Sequence, residues 1–216
     1  YIGLLVIGNM NMIRHKSFKI KLLVIILLSS SPLTYANKTT SLGDSSKADG
    51  NESTALGYNT WAHSDQSTAI GASAGAEGEN ATAIGHKSTA IGDNTLSLGS
   101  GATSIGNGAI SIGSGAVSQK KNAISIGENI TNNAENSVVL GGNSQLTDDA
   151  SHSVIIGSHS FGTASNAIIL GDKSTNNRNN SLSIGSNDNQ RQIVNVAAGT
   201  ENTDAVNVAQ IGRASC

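Results

Sequence analysis

The sequence predicts an all-β protein, a narrow β-solenoid of 14-residue coils with two short strands in each, followed by a short neck with a helical C-terminal end. Three observations predict it. Glycines recur at multiples of seven residues, an apolar triplet precedes most of them, and the 216 residues include 25 glycines but one proline. Spacing this regular is unlike a flexible linker or a disordered chain, and a fixed internal period is typical of solenoids.

The N-terminal segment is predicted to be a secretory signal peptide. The stretch RHKSFKIKLLVIILLSSSPLTYA (14–36) has a basic start, a short apolar run at 22–28, and small residues at the −3 and −1 positions of a cleavage site. The apolar run is far shorter than the roughly 20 residues that span a bilayer. We expect residues 1–36 to be removed and the chain to be exported. Residues 1–11 are either extra translated sequence before Met12 or an extended leader.

The repeat is defined by the glycine that closes each triplet. From Gly43 to Gly185 the steps between these glycines are 14 or 7 residues, except for one step of 16 between Gly141 and Gly157. We place the two extra residues in the loop GNSQLTDDA. Each glycine is expected in a turn, where a positive φ is useful. The repeat-turn glycines are Gly57, Gly71, Gly85, Gly99, Gly113, Gly127, Gly141, Gly157, Gly171 and Gly185.

A seven-residue period also suggests a coiled coil, but the residue types oppose it. Each glycine would cost a helix about 1 kcal/mol relative to alanine, and a coiled-coil seam needs large apolar residues at two positions of every heptad. Short strands separated by turns fit the pattern better.

Side chains alternate within each triplet, as on a strand. The first and last positions carry Thr, Ile or Leu, and the middle position carries Ala or Ser, as in Thr-Ala-Ile at 68–70. We assign the Ile/Leu face to the interior and the small face to the exterior. The small position becomes Val139, Ile155 and Ile169 in later repeats. Because strands apolar on both faces are buried on both sides, we expect these three residues to contact neighbouring chains.

The segment after the repeats is predicted to end in a helix. Asp204 or Thr203 can cap its N-terminus, and Ala205, Val208, Ala209 and Gly212 follow helical spacing. An ordinary helix that covers the end of one solenoid is one interpretation, and an apolar segment that crosses between chains is the other. The candidate contacts between chains in this segment are Val194, Val196, Val206, Val208 and Ile211.

Several stretches resemble the head repeats of the trimeric autotransporter adhesins, the YadA-like family. They are NSVVLG (136–141), HSVIIG (152–157), NAIILG (166–171) and NSLSIG (180–185). The stretch RQIVNVAAGTENTDAVNVAQI (191–211) closely resembles the neck that joins head to stalk in that family. Head and neck together cover about residues 40–211.

The resemblance implies a left-handed parallel β-roll in each chain, a homotrimeric head and a location at the bacterial cell surface and outer membrane. With the signal peptide at 1–36, it divides the chain into head repeats at 37–190, a neck at 191–212 and a tail at 213–216. We expect the tail to be truncated before the stalk and the membrane anchor. Membrane attachment is then expected only through an anchor absent from this sequence.

The function that the resemblance implies is a surface adhesin for host cells or extracellular matrix, such as collagen or fibronectin. Many weak equivalent sites would bind with avidity. The family's NSVAIG-type repeats are implicated in collagen and matrix binding, and a packing role is expected instead if Val139 is buried between chains. The alternative function is a structural spacer or auto-aggregation module of a longer surface protein without its own ligand. The match to that motif is Asn136, Ser137, Val138, Val139, Leu140 and Gly141.

The sequence predicts no enzyme, no metal site and no cofactor. It contains no G-x-x-x-x-G-K-[ST], H-E-x-x-H or G-x-S-x-G motif, and the single cysteine, Cys216, is terminal. A solenoid lyase would need longer coils and clustered carboxylates. A net charge of −2 provides no basic field for nucleic acid. The lone Trp61 is assigned to a turn region, as a stacked or half-buried aromatic.

Overall fold

The structure, a computed structural model, describes residues 38–214. In this part of the chain about ten coils stack into a parallel β-solenoid, and each coil contributes one strand to each of two sheets. A single short helix, α1 (Val208–Ala214), follows the solenoid in the described residues. The predicted signal peptide and Cys216 lie outside the described residues.

The two sheets run along the whole solenoid. The first has 11 strands: β1 (Thr40–Leu42), β3 (Thr54–Leu56), β5 (Thr68–Ile70), β7 (Thr82–Ile84), β9 (Leu96–Leu98), β11 (Ile110–Ile112), β13 (Ile124–Ile126), β15 (Val138–Leu140), β17 (Val154–Ile156), β19 (Ile168–Leu170) and β21 (Leu182–Ser183). The second has ten: β2 (Lys47–Ala48), β4 (Trp61–Ala62), β6 (Gly75–Ala76), β8 (Thr89–Ala90), β10 (Thr103–Ser104), β12 (Val117–Ser118), β14 (Thr131–Asn132), β16 (Gln145–Leu146), β18 (Phe161–Gly162) and β20 (Thr175–Asn176).

Every strand pairs in parallel with the equivalent strand one coil away. Ala55 pairs with Ala69, an offset of 14 residues. The offset is 16 where Val138 pairs with Val154 and where Gln145 pairs with Phe161. The two extra residues therefore lie after β16 and before β17, in the region of the predicted loop. The predicted 14-residue coil with two strands is confirmed.

The turns depend on backbone conformations that favour glycine. Gly71 has a φ of 124°, and a Cβ there would lie 2.7 Å from the carbonyl oxygen of Gly85 in the next coil. An alanine would therefore be strained by its φ and would also clash with backbone. The other repeat-turn glycines share the positive φ, except for Gly185, whose φ lies outside that region.

The interior of the solenoid is lined by the small face of the triplets, so the assignment of faces from sequence is wrong. Ala69 is fully buried, whereas Thr68 and Ile70 on either side of it are only partly buried. The two sheets face each other across a narrow interior, and the bulky residues of each triplet point outward. Four positions in each coil point inward, two from each half, such as Ser67, Ala69, Ala74 and Ala76.

Three kinds of interior follow one another along the solenoid. The alanine coils (53–90) are lined mainly by alanine methyl groups. In the serine coils (95–125) each inward serine hydroxyl donates to a carbonyl oxygen eight residues earlier, as from Ser104 Oγ to Leu96 O at 2.8 Å and from Ser111 Oγ to Thr103 O at 2.8 Å. The aliphatic coils (130–169) hold the large side chains, namely Ile130, Val139, Leu146, Ile155 and Ile169.

Val139, Ile155 and Ile169 therefore cannot be contacts between chains. Each is 0% exposed in the single chain, because its side chain fills the interior of its own coil. The expectation failed because alternation separates two faces of a strand without saying which face is inside. The increase in size at this position reflects a change of the core and not an interface.

Candidate functional site: the outer faces and the neck

The outer face of the 11-stranded sheet is apolar along most of its length. We call it the apolar face, and it comprises the first and third residues of each triplet. Among its members Ile156 is 48% exposed and Ile168 is 45% exposed. A contiguous exposed apolar surface marks an interaction site. The row at the third position is Leu42, Leu56, Ile70, Ile84, Leu98, Ile112, Ile126, Leu140, Ile156 and Leu170. The row at the first position is Thr40, Thr54, Thr68, Thr82, Leu96, Ile110, Ile124, Val138, Val154, Ile168 and Leu182.

The outer face of the ten-stranded sheet, here the polar face, has a different character. It carries Lys, Asp, His, Glu, Gln, Asn and Thr side chains, interrupted by a few exposed apolar residues. Those interruptions are Trp61, Ile91, Ile105 and Phe161, each 40–43% exposed. This face is suited to contact with solvent or with a polar ligand.

The motif at 136–141 is divided among three environments. Asn136 lies in a turn with a φ of 52°, and its side-chain amide accepts a 2.9 Å hydrogen bond from Asn122. Ser137 is buried and donates to Ala134 O at 2.6 Å. Val138 and Leu140 belong to the apolar face, Val139 is inside, and Gly141 forms the following turn. The six residues do not form one binding surface, which favours a packing role for the motif.

The junction between the solenoid and the neck is held to the last coils by the polar side chains of Asn189 and Arg191. The Arg191 guanidinium donates to Asp172 O at 2.6 Å, to Ile184 O at 2.8 Å and to Ser174 Oγ at 3.0 Å. Asn189 Nδ2 also donates to Asp172 O, at 3.1 Å. These bonds satisfy backbone carbonyls where the ladder of coils ends.

Helix α1 is capped by Asn207 and not by Asp204 or Thr203. Asn207 Oδ1 accepts from the Gln210 N–H at 3.2 Å, and Gln210 Oε1 accepts from the Asn207 N–H at 3.2 Å, which is a reciprocal capping box. Gln210 also holds Gly199 through both backbone groups, with 2.9 Å bonds to its N–H and its carbonyl oxygen. The helix therefore starts three residues later than predicted, and Ala205 precedes it.

Asp204 closes the loop before the helix. Its carboxylate accepts 3.0 Å hydrogen bonds from the backbone N–H groups of Glu201 and Thr200. These bonds stabilise the charged form, and they hold the pKa of Asp204 below its ordinary value of 3.8.

The apolar residues predicted for chain contacts in the neck are largely exposed in the single chain. The exposed fractions are 69% for Val194, 60% for Val206, 86% for Val208 and 59% for Ile211, and Val196 is half-buried. A surface of this kind is costly to leave in water, so it is consistent with a partner. It stays a prediction for this chain.

The described residues offer little for chemistry. His159 Nδ1 lies 3.0 Å from Asp172 Oδ1, and His63 Nδ1 lies 3.4 Å from Asp49 Oδ2, all on exposed side chains. Between residues 38 and 214 no group of three or more His, Cys, Asp or Glu residues could hold a metal ion. In the same part of the chain no helix is long and apolar enough to cross a membrane.

Two family models match the chain. The model described as the YadA head domain repeat matches five overlapping segments, 36–60, 48–74, 62–88, 76–102 and 85–109. The model described as the coiled stalk of trimeric autotransporter adhesin matches residues 192–215. No curated protein matches the chain.

Solved structures match as well. One is the crystal structure of the collagen-binding domain of the Yersinia adhesin YadA, with 30% sequence identity and a TM-score of 0.60. The match covers 81% of this chain and 86% of that one. With its coils, its neck and this likeness, the chain belongs to the YadA-like trimeric autotransporter adhesins, a family of outer-membrane surface proteins for which a trimeric state is expected.

Proposed function

We propose that the chain attaches a bacterial surface to host extracellular matrix, with collagen as the ligand to test first. The observation that carries the proposal is the likeness to the collagen-binding domain of YadA, which extends over 86% of that domain. The adhesin-type function follows from the family, and the ligand is the part that needs experiment. Export by the N-terminal segment belongs to the same proposal.

The apolar face supports assembly as the first step. Its rows cannot be covered from within, because each chain's own core uses the opposite face of the strands. Three chains that bring these rows together would remove a long apolar surface from water at about 25 cal/mol per Å². The exposed neck residues Val194, Val206, Val208 and Ile211 would extend the same contact below the heads.

The polar face supports ligand contact as the second step. With the apolar faces turned toward one another, the polar faces of three chains would point to solvent. Equivalent positions recur about every 4.8 Å along each chain, so an extended ligand could touch several coils at once. Weak contacts of this kind gain strength through multivalency and need no deep pocket.

Assembly is tested by a charge on the apolar face. Ile112→Lys is expected to convert the trimer to a smaller species, because a lysine in an apolar contact would be buried without a partner. The matched control is Gln119→Lys on the polar face, which should leave the mass unchanged. Light scattering over a range of concentrations measures both. A wild-type chain that is a monomer at every concentration contradicts the assembly proposal.

Ligand binding is tested on immobilised triple-helical collagen, with heat-denatured collagen, fibronectin and albumin in parallel. We expect saturable binding of the trimer to the triple helix and none to albumin. Binding to fibronectin alone would replace collagen as the ligand. A correctly assembled trimer that binds neither matrix protein would contradict the proposal and favour a spacer or auto-aggregation module.

A further inference from the structure

We propose that the groove around Trp61 on the polar face is a carbohydrate-binding site that holds one neutral pyranose ring against the indole. The inference goes beyond matrix-protein binding and does not depend on it. It rests on the position of Trp61, on the open space beside it and on the polar groups that surround it.

Trp61 lies on a strand, and the assignment to a turn region is wrong. It is the first residue of β4. Ala62 is buried beneath the sheet, and Trp61 is 43% exposed on the outer face. In the parallel register Lys47 pairs with it from one coil before, and Gly75 from one coil after. The indole is therefore fixed on a rigid sheet with a flexible cation on one side and no side chain on the other.

The glycine at position 75 has no evident role in the fold. A Cβ there would meet nothing within 4 Å, and its φ lies outside the left-handed region. Thr89, Thr103 and Val117 occupy the same position in the next three coils. A groove of ≈ 560 Å³ lies beside the indole, and at Gly75 the neighbouring position in register has no side chain.

Four polar side chains line the groove together with the indole. Lys47 supplies a donor, Asp49 and Glu77 supply acceptors, and His63 lies 3.4 Å from Asp49 through its Nδ1. An exposed aromatic surface with a few convergent polar groups is the usual composition of a small-ligand site. Hydrogen-bond donors and acceptors lie side by side, so the groove favours a ligand whose groups both donate and accept hydrogen bonds.

A pyranose fits this combination better than an ion does. One side of the ring presents C–H groups that can lie on an aromatic face, and the hydroxyl groups at its edge both donate and accept. A cationic ligand would meet Lys47 beside the indole, and an anionic ligand would meet Asp49 and Glu77. A cation would be repelled by Lys47 and an anion by the two carboxylates, whereas a neutral sugar is repelled by neither.

Phe161 provides an internal comparison. It occupies the same position of its coil as Trp61 and is 41% exposed. Its neighbours in register are Gln145 and Thr175. It lies in a larger groove of ≈ 810 Å³, whose lining includes Arg191 and no carboxylate. We expect this second exposed ring to bind no sugar.

The experiment uses the fluorescence of Trp61, the single tryptophan of the chain. The full chain is titrated with methyl β-galactoside, methyl α-mannoside and lactose. We expect a saturable change in emission for at least one sugar, with a dissociation constant of about 1 mM for a single site. Gly75→Thr, which adds the side chain found at position 89, should weaken binding at least about tenfold by placing a side chain beside the indole.

Two controls separate loss of the site from loss of the fold. Phe161→Ala should bind the sugar as the wild type does. Trp61→Ala, followed by saturation-transfer NMR on the sugar protons, should abolish binding while the circular dichroism spectrum of the coils is kept. The proposal is overturned if none of the three sugars saturates the signal, if Gly75→Thr binds as tightly as the wild type, or if arginine methyl ester saturates it and the sugars do not. Collagen binding is measured in a separate assay, so the sugar results can be interpreted whether or not the protein binds collagen.

Discussion

The alanine coils and the aliphatic coils share the arrangement of two strands in each coil and differ in the size of the side chains inside it. Both stack in parallel with each coil in register with the next. In the alanine coils the inward residues are as small as Ala69 and Ala83, and in the aliphatic coils they are as large as Ile155 and Ile169. The head-repeat model matches residues 36–109, so it covers the first region and stops before the second.

The difference teaches that the turns and the backbone hydrogen bonds between strands determine the conformation of each coil. The inward side chains vary in size within the space that this conformation leaves. The clearest adaptation is Gly162. It points inward from β18, and a Cβ there would lie 2.6 Å from Ile169 Cδ1 and 2.7 Å from Leu146 Cδ2. A large side chain on one sheet is thus balanced by a missing one on the other.

The largest effect is expected from emptying the aliphatic core. Ile155→Ala should lower the free energy of unfolding by about 2–5 kcal/mol, because the narrow interior cannot collapse around the cavity. Urea unfolding at fixed protein concentration measures it. The control is Ile105→Ala on the polar face, where the side chain is 40% exposed and the loss should be well under half as large. Equal losses at the two positions would contradict the assignment of inside and outside.

A smaller loss is expected from overfilling the same region. Gly162→Ala should destabilise the protein by about 1–3 kcal/mol, because the new methyl group has no space. Adding Ile169→Val removes the nearest contact atom and should recover part of the loss. Gly75→Ala, at a position with open space, should change stability by no more than about 0.5 kcal/mol. Additive losses in the double variant would disprove the balance between the two sheets.

The serine coils allow a finer comparison between polar and apolar interiors. Ser111→Ala removes the 2.8 Å bond to Thr103 O and should cost about 0.5–1.5 kcal/mol. Ser114→Ala, at an exposed turn, is the control and should be neutral. If Ser111→Ala is also neutral, the row of inward serine hydroxyl bonds does not contribute to stability, and serine is present only because a small residue fits the interior.

The smallest effect is expected in the neck, which is held by polar contacts and not by a core. The pKa of Asp204 is lowered, so its contribution to stability is present above about pH 3.8 and is lost as the pH falls through the lower folded value. NMR titration of the carboxylate, together with amide exchange at Thr200 and Glu201, follows the loosening of the loop. Asp204→Asn should show no such dependence on pH. A pKa at or above the ordinary value would contradict the observed hydrogen bonds.

Much of the fold was readable because a strict period leaves few alternatives. The glycine spacing gave the coil length, the two strands and the place of the 16-residue coil. The inner and outer faces of the strands are predicted the wrong way round. Alternation in Thr-Ala-Ile separates two faces without showing which is inside, and the width of the interior cannot be derived from the sequence. The residues of the head that can contact another chain are therefore the neighbours of Val139, Ile155 and Ile169 on the apolar face.

The sequence contains a local signal for the cap of the neck helix and none for the strand that carries Trp61. Asn207 and Gln210 have the spacing of a capping box, and this local signal distinguishes Asn207 from Asp204 as the capping residue. The roles of Arg191 and Gln210 across the chain depend on tertiary contacts that no local pattern shows. The sequence predicts a turn region at Trp61, and position 61 lacks the apolar triplet that marks the strands of the first sheet.

The constant 14-residue register of the alanine coils has a consequence for how such a protein can change its length. An in-frame duplication or deletion of one coil of coding sequence would insert or remove a complete layer and leave every other layer paired. Each event would move the tip of the head by about 4.8 Å without redesign of a core. The junction between Leu146, Gly162 and Ile169 is the place where such an event would disturb the packing, so gene variants should tolerate gains and losses among the alanine coils more readily.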